Sequence, residues 1–364
     1  MPEIPDSIQM RTVARRYYLD GISRQKISAE LNIDPRRVAT LLEMAINLGV
    51  VRIDIRETAE EELTGQLQTK YPHLQKVMIA PGSSAKIETK EQCDDLFRRF
   101  AIMAADYFEE IYNHHPRGVA LHVGVTGGMR LLKFAQAVPE LDRPEVHVHQ
   151  TALIGHGPEE DVSYISPILT SSMLWTRCSS FPGKSETATV LPYDIKSQTR
   201  RTPQALKTVR EAMENAWNNT LVQKAVKNMH GLDVVFGGIG GYGIPDDLKT
   251  RLTMEGFVQS IIAPEKLIEQ GAAGDYSYCT YDHIGDGKKD RNGNDAWRFF
   301  ITAGHDSKTP GIEFFKNMAA TPGKKVVAIG GPYLTPAIKA ALKGKICNVI
   351  ILDEYSAKEI VAGS

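Results

Sequence analysis

The chain has 364 residues, of which 42% are hydrophobic and 24% charged, and its formal net charge at pH 7 is −1. This length suits a small domain joined to a larger one, and the composition is that of an ordinary globular protein. The near-neutral charge excludes a chain that binds polyanions along its whole length, and with no run of about 18 apolar residues we expect no membrane span.

The first fifty residues predict three short helices. Apolar residues recur at helical spacing over 13–18, and Gly21 ends that helix. Ser23 is a suitable N-cap for a second helix, and Asp34 for a third, with Pro35 at its first position. Two helices joined by so short a turn predict a helix-turn-helix.

The polar face of this segment indicates DNA binding. Residues 10–56 carry nine basic and five acidic side chains. This surplus of positive charge is what contacts with DNA phosphates require. The candidate DNA-binding residues begin the second helix or line the third: Arg24, Gln25, Lys26, Arg36, Arg37 and Thr40. The alternative is a helical bundle whose arginines are only solvated. The alternating residues 50–55 predict a strand that would form a wing.

The acidic stretch that follows, 57–75, predicts a linker helix, with a dimer contact as one possible role. We therefore expect a helix-turn-helix DNA-binding domain over 1–56 and an effector-binding domain over 57–364.

Beyond this point, β-branched apolar runs alternate with helical segments. The predicted strands are Val77–Ala80, Val119–Val125, Val146–Ile154, Thr187–Leu191, Val234–Ile239, Val326–Ile329 and Val349–Leu352. The predicted helices are Lys90–Tyr112, Gly128–Val138, Pro203–His230, Thr335–Leu342 and Ser356–Val361. This alternation predicts a Rossmann-like α/β fold, a mostly parallel sheet with helices on both faces. Ligands bind such sheets at the carboxyl ends of the strands.

Four glycine-rich stretches are candidate ligand loops: 123–130, 236–243, 271–277 and 329–338. In the first, Gly127-Gly128 separates a strand from a helix, so backbone N–H groups would face an anion. In the third, Asp275 is suited to accept hydrogen bonds from hydroxyl groups. Each stretch taken alone is also consistent with a tight turn.

We expect neither a metal nor a cofactor. His147, His149 and His156 lie close in sequence, but ordinary partly buried histidines explain them better than a zinc site. The stretch 290–297 resembles a calcium loop without its glycine and glutamate, which indicates an exposed, mobile insertion. The four cysteines are far apart and predict buried free thiols in a cytoplasmic protein: Cys93, Cys178, Cys279 and Cys347. The start of the chain does not resemble a secretory signal.

Three blocks of sequence resemble the SorC family of bacterial transcriptional regulators. VARRYYLDGISRQKISAELNIDPRRVATLLEMAINLGVVRIDI is similar to that family's DNA-binding module, and HVGVTGGMRLLKFAQAV to its first ligand loop and helix. GAAGDY, followed by VVAIGGPYLTPAIKAALKGKICNVIILDEYSAKEIV, is similar to its C-terminal signature. The resemblance covers nearly the whole chain.

This resemblance implies a winged helix-turn-helix joined to an effector domain with the fold of ribose-5-phosphate isomerase and glucosamine-6-phosphate deaminase. It implies a dimer or tetramer that binds operator DNA and whose affinity is changed by a sugar, usually a phosphorylated one. Carried over by motif, the loop Thr126, Gly127, Gly128, Met129 and Arg130 would face a phosphate, and Asp275 would bind a hydroxyl. The further candidate effector-binding residues are Gln150, Gly240, Gly241 and Leu334.

Two positions depart from the family pattern. Met129-Arg130 stands where relatives have Arg-Thr or paired hydroxyl residues, and Leu334 stands where many relatives have a lysine that reaches a phosphate. Either Arg130 replaces that lysine, or the effector is an unphosphorylated sugar or polyol. The stretch 281–318 is longer than the family pattern predicts and would cover the pocket.

We therefore expect a carbohydrate-responsive transcriptional regulator and not an enzyme. The alternative is a sugar-phosphate isomerase or deaminase with a helical N-terminal extension, which would need a general base such as Asp275 or Glu354.

Overall fold

The structure, a computed structural model, describes residues 6–51, 58–140, 145–153, 173–174, 177–178, 211, 213–252, 262, 264–305 and 309–363. Most of the predicted wing, the predicted strand 187–191, the first part of the predicted helix 203–230 and His156 lie outside these residues. The chain divides into two compact units, Met1–Arg56 and Glu57–Ser364.

The first unit contains three helices: α1 (Asp6–Tyr18), α2 (Arg24–Leu31) and α3 (Pro35–Asn47). The side chain of Ser23 accepts a hydrogen bond from the backbone N–H of Lys26, at 3.4 Å, at the start of α2. Asp34 caps α3 in the same way, by accepting from the N–H of Arg36 at 2.7 Å. Both predicted caps are confirmed, because each depends only on residues within one helical turn.

A small apolar core holds these helices together. Its members come from all three helices and are buried: Met10, Val13, Ala14, Ile27, Val38, Leu41, Leu42 and Ala45. Between α2 and α3, Asn32 has a left-handed backbone with φ of 49°, which reverses the chain in a single residue. An ion pair between Arg16 and Glu30 joins α1 to α2.

The second unit alternates helices and strands along the chain. Its elements are α4 (Thr58–Lys70), β1 (Lys76–Ala80), α5 (Lys90–His114), β2 (Leu121–Val125), α6 (Met129–Ala137), β3 (Val146–Gln150), β4 (Ala152–Leu153), α7 (Thr220–Met229), β5 (Val234–Gly241), α8 (Asp246–Leu252), α9 (Pro264–Glu269), β6 (Ala272–Tyr276), β7 (Cys279–Asp282), β8 (Ile301–Thr302), α10 (Gly311–Ala320), β9 (Lys325–Ile329), α11 (Thr335–Lys343), β10 (Val349–Asp353) and α12 (Glu354–Ala362).

Six strands form a parallel sheet in the order β1-β10-β9-β5-β2-β3, which confirms the predicted α/β fold. The sheet continues from the far end of β5 as two antiparallel strands, β6 and then β7. A separate antiparallel pair joins β4 to β8. Both faces of the sheet are covered by apolar side chains. Val123, Val125 and Phe236 pack on the face with α5 and α6, and Val235, Ile239 and Ile350 pack on the other.

Helix α4 packs into the second unit and is not a bare linker. Leu67 is fully buried, and Leu63 and Tyr71 are nearly so, in the same core as α11 and α12. At its end, the Nζ of Lys70 donates to the carbonyls of Ile360 at 2.9 Å and Gly363 at 2.8 Å. The acidic face that suggested a linker is only the solvated side of this helix.

Two predicted loops are strands. The stretch 271–277 forms β6, and most of 236–243 belongs to β5, which runs through Gly241. The predicted helix 203–230 is interrupted, because α7 begins only at Thr220 after a turn at 218–219. Among the described helices, none is long and apolar enough to cross a membrane.

Candidate functional site

The carboxyl ends of β2, β5 and β9 lie next to one another, and β2 leads there into α6 through Thr126, Gly127 and Gly128. Thr126 is 2% exposed. Gly128 is the N-cap residue of α6, has φ of 110° and provides no side-chain cap. The first N–H groups of α6 are therefore available to a ligand at this edge of the sheet.

Arg130 joins the ends of two strands, β9 and β5. Its Nη1 donates to the carbonyls of Ile329 at 2.7 Å and Gly330 at 2.6 Å, and its Nη2 donates to the carbonyl of Ile239 at 2.6 Å. A Cβ on Gly331 would lie 3.2 Å from Nη1, so the guanidinium lies within the edge formed by β5 and β9. The predicted phosphate-facing side chain is thus held by backbone carbonyls.

Burial lowers the pKa of Arg130 to about 10, while the nearby Asp275 acts to raise it. The guanidinium remains protonated at neutral pH and gives this edge one positive charge. It forms no ion pair with a carboxylate of the described residues.

Asp275 is 8% exposed and lies opposite Gly240 across β5 and β6. A Cβ on Gly240 would come within 2.2 Å of the Asp275 Oδ1, so glycine is required at that position. Burial raises the pKa of Asp275 to about 6, while Arg130 and hydrogen bonds from the Tyr278 backbone and the Tyr242 side chain act to lower it. The carboxylate is mostly ionised at neutral pH and is suited to accept hydrogen bonds from hydroxyl groups.

Tyrosines surround this carboxylate, and the sequence reasoning did not identify them. The Tyr242 hydroxyl lies 3.0 Å from the Oγ1 of Thr280, and the Tyr281 hydroxyl donates to the carbonyl of Ala337 at 3.1 Å. Burial raises the pKa of Tyr242 and of Tyr281, so both stay neutral. The alternation in 276–282 was the available signal, since it is typical of a hairpin strand.

The hairpin turn between β6 and β7 has an unusual backbone. Ser277 and Tyr278 have φ of 51° and 64°, the left-handed region where glycine or asparagine usually stands. Tyr278 also forms a hydrogen bond with the backbone of Gly127. The turn therefore connects the Asp275 strand to the first ligand loop, and strain of this kind is found at functional sites.

Gln150, the last residue of β3, is opposite Val125 in the register of β2 and β3. It is 1% exposed, and within the part of the chain that the structure describes neither its Oε1 nor its Nε2 has a hydrogen-bond partner. A buried amide left unpaired costs about 1–3 kcal/mol, so a ligand or water is expected to satisfy it.

Leu334 lies where the fourth loop enters α11, and it is 2% exposed. Its Cδ2 would be 2.6 Å from a Cβ on Gly241, so the leucine fills the space beside the end of β5. Met129, by contrast, is 37% exposed. The structure therefore brings together the residues of the first loop, Arg130, Asp275, Gly240, Gly241 and Leu334, and places Gln150 on the strand next to β2.

The stretch predicted as an exposed insertion is only partly so. Residues around Asp290 form an exposed turn in which its Oδ1 accepts from the N–H groups of Asn292 and Asn294. Farther on, Phe300 is buried and its ring lies 5.5 Å from that of Tyr278. Strand β8 then pairs with β4, which follows Gln150. This stretch is therefore a packed neighbour of the candidate site.

In the first unit, Arg24, Gln25, Lys26, Arg36 and Thr40 are exposed, and Arg37 is partly buried. The Oγ1 of Thr40 donates to the carbonyl of Arg36 at 3.1 Å, which leaves its oxygen free to accept. The start of α2 and the outer face of α3 thus present three cations in a short span.

The histidines of the second unit lie on neighbouring strands. His122 Nδ1 is 3.0 Å from His149 Nε2, and the rings of His122 and His147 are 5.1 Å apart. Among the described residues, no group of three or more histidine, cysteine, aspartate or glutamate side chains is placed to hold a metal ion. All four cysteines are free and buried, as predicted.

Comparison with known structures found the same architecture in proteins described as transcriptional regulators. The full-length sorbitol operon regulator SorC from Klebsiella pneumoniae is similar over 99% of this chain and 100% of that one, with 16% identity and a TM-score of 0.63. A DeoR family regulator from Listeria monocytogenes is similar over 83% of this chain and 100% of that one, with 15% identity and a TM-score of 0.56.

A domain of a possible sugar-binding transcriptional regulator from Arthrobacter aurescens is similar over 85% of this chain and all of that one, with 17% identity and a TM-score of 0.55. No protein-family model and no curated protein matches the sequence. At these identities the likeness concerns the fold. The predicted resemblance to SorC regulators is confirmed at that level.

Proposed function

We propose that this protein is a sequence-specific DNA-binding transcriptional regulator of the SorC type whose operator affinity is controlled by a small carbohydrate. The observation that carries the proposal is the combination, in one chain, of a capped helix-turn-helix with a parallel-sheet unit whose strand ends carry a polar site. The likeness to a full-length regulator over nearly the whole chain supports it.

DNA binding is proposed through α3. The N-terminal residues of a recognition helix reach base edges in the major groove, and arginine paired with guanine is the commonest specific contact. Arg36 is exposed in the first turn of α3, with Arg37 and Thr40 next to it. Arg24, Gln25 and Lys26 begin α2, where cations and backbone N–H groups contact phosphate.

Effector binding is proposed at the carboxyl edge of the sheet. Asp275 supplies a buried hydrogen-bond acceptor, Gln150 an unsatisfied amide, and the start of α6 backbone N–H groups that no N-cap side chain binds. Such a set complements the hydroxyl groups of a sugar or polyol. We propose that the protein acts as a homodimer or homotetramer on repeated half-sites, and that effector binding changes the spacing of its DNA-binding units.

The proposed DNA binding can be tested by selecting, from a random DNA library, the duplexes that the full chain binds. We expect one enriched motif with inverted or direct repeats, and an affinity that falls steeply with salt. Arg36→Ala and Arg37→Ala should each weaken binding by about 1–3 kcal/mol, whereas Arg98→Ala, an exposed arginine of the second unit, should not. Failure to enrich any motif would contradict the proposal.

We propose that the chain is not an enzyme. An isomerase or deaminase would need a general base with a second acid-base group beside it. Glu354, one of the two carboxylates considered, is ion-paired with Lys358 at 2.7 Å. The groups around Asp275 are Arg130 and neutral tyrosines. Turnover of sugar phosphates by the full chain that is lost in Asp275→Asn would establish the enzyme instead.

A further inference from the structure

The geometry points to an effector without a phosphate group: the site is built for an uncharged sugar or polyol, which Gln150 and Asp275 recognise through its hydroxyl groups. This inference rests on the proposed effector function and narrows it to one chemical class of ligand.

The first observation concerns Arg130, the buried cation at this edge. Both donors of the Arg130 Nη1 and one of its Nη2 are used by the carbonyls of Ile329, Gly330 and Ile239. Bidentate recognition of phosphate requires two adjacent N–H groups that point outward together. The donors left over are Nε–H and one Nη2–H, so the end of the guanidinium is occupied and holds the ends of β5 and β9 to α6.

The second observation is the carboxylate of Asp275, which has no ion-pair partner among the described residues. It is buried against Gly240 and held by neutral donors, the Tyr278 backbone and the Tyr242 hydroxyl. The positive charge of Arg130 is already opposed by this carboxylate, so the two groups leave no surplus positive charge between them for a phosphate. A hydroxyl group, in contrast, donates to the carboxylate.

The third observation is Leu334. Its side chain is buried next to Gly241 and Gly331. Its Cδ2 would lie 2.6 Å from a Cβ on Gly241, and its Cδ1 would lie 3.2 Å from a Cβ on Gly331. Beside Gly241 the edge is therefore apolar and favours the C–H surface of a carbohydrate. Beside Gly331 the leucine shares the space with the guanidinium of Arg130.

The fourth observation is the unsatisfied amide of Gln150. An amide offers two donors and an acceptor, which is the complement of neighbouring hydroxyl groups that both donate and accept. Because the amide is buried without a partner, its free energy cost is recovered only when a ligand or water reaches it. The N–H groups at the start of α6 donate equally well to a hydroxyl oxygen. The unpaired amide of Gln150 is thus neutral, and the charges of Asp275 and Arg130 oppose each other at this edge.

The test is a thermal-shift and calorimetric titration of the full chain with paired ligands. The panel contains pentoses, hexoses, pentitols and hexitols, each beside its terminal phosphate monoester, with inorganic phosphate as an anion control. We expect at least one free sugar or polyol to bind about tenfold or more tightly than its own phosphate ester, because Asp275 already opposes the charge of Arg130 and would repel an added anion.

Binding of phosphate esters alone would overturn this inference and leave the carbohydrate-responsive regulator standing. Binding of neither class would overturn the proposed effector function and this inference with it, whatever the DNA-binding result.

One substitution distinguishes an effect on ligand binding from an effect on folding. Gln150→Met removes the unsatisfied amide at nearly constant volume, so we expect unchanged or greater stability but about tenfold weaker binding of the neutral ligand. The matched control is Gln75→Met, whose exposed amide pairs with Lys325 before β1. Unchanged affinity in Gln150→Met would remove Gln150 from the recognition set and contradict the inference.

Discussion

The carboxylate of Asp275 lies directly over the backbone of Gly240, its partner across β5 and β6, with no room for a side chain between them. We therefore expect Gly240→Ala to destabilise the second unit by about 1–3 kcal/mol, because the new methyl group would displace a buried side chain. Denaturant unfolding of the full chain measures this change.

Gly65→Ala is the control, since Gly65 is exposed on α4 with open space around its Cα. That substitution should stabilise the helix by about 0.5–1 kcal/mol. Asp275→Ala should partly rescue Gly240→Ala in a double-mutant cycle. Additive effects of the two changes would show that the close contact is not what requires glycine.

The raised pKa of Asp275 predicts a pH-dependent stability. Its pKa rises on folding from 3.8 to about 6, so the folded state is most favoured below 3.8. Stability from this group then falls as the pH rises to about 6 and stays lower above it. Asp275→Asn keeps the shape without the charge and should stabilise the protein at about pH 8, by up to about 3 kcal/mol, but not at about pH 4.

The measurement is thermal unfolding of Asp275→Asn at the two pH values. The control is Asp20→Asn, a change at an exposed aspartate. An equal effect of Asp275→Asn at both values would contradict the assigned pKa. The same variant should bind the effector more weakly, since an amide is a poorer acceptor than a carboxylate. Greater stability with weaker binding is the expected signature of a site residue.

Arg130 predicts a large effect of a conservative change. Lysine keeps the charge but has no planar fork, so Arg130→Lys would leave at least one of the carbonyls of Ile329, Gly330 and Ile239 unpaired. We expect a loss of about 2–4 kcal/mol in the free energy of unfolding. Arg98→Lys, on the exposed side of α5, should change it by less than about 0.5 kcal/mol. Equal effects of the two changes would show that the hydrogen bonds from Arg130 to the three carbonyls do not stabilise the fold.

The Asp34 cap predicts a local effect in the first unit. Asp34→Ala removes the acceptor for the N–H of Arg36 and should cost about 1 kcal/mol. Amide hydrogen exchange should accelerate along α3 and not in the sheet of the second unit. Glu43→Ala, an exposed change within the same helix, is the control. Protection that is unchanged in Asp34→Ala would mean that the cap contributes nothing.

Local signals in the sequence were reliable where the structure is local. Ser23 and Asp34 act as caps because capping depends on a side chain and an N–H group within the same turn. The parallel strands were also predicted, because their apolar runs are buried on both faces. Thr126, Asp275 and Arg130 were correctly placed at one edge, since strand ends of a parallel sheet meet there.

The glycines in β5 and β6 led us to predict loops where the structure has strands. Gly240 is required by Asp275 and not by a turn. A Cβ on Gly274 would lie 2.6 Å from the Gly240 carbonyl oxygen and 2.7 Å from the Cβ of Ala337. Close packing between strands and a helix therefore explains these residues, and no single-sequence pattern separates that cause from a loop. The hydrogen bonds of Arg130 were not predicted for a similar reason, because its three carbonyl partners are distant in sequence.

The burial of α4 sets where the protein can be divided. Leu67 and Tyr71 belong to the core that also contains α11 and α12, and Lys70 binds the carbonyls that end α12. A fragment that began at β1 would lose this covering and expose an apolar strip to aggregation. A fusion protein built from the second unit alone, with a reporter domain in place of α1 to α3, should therefore be joined ahead of Thr58.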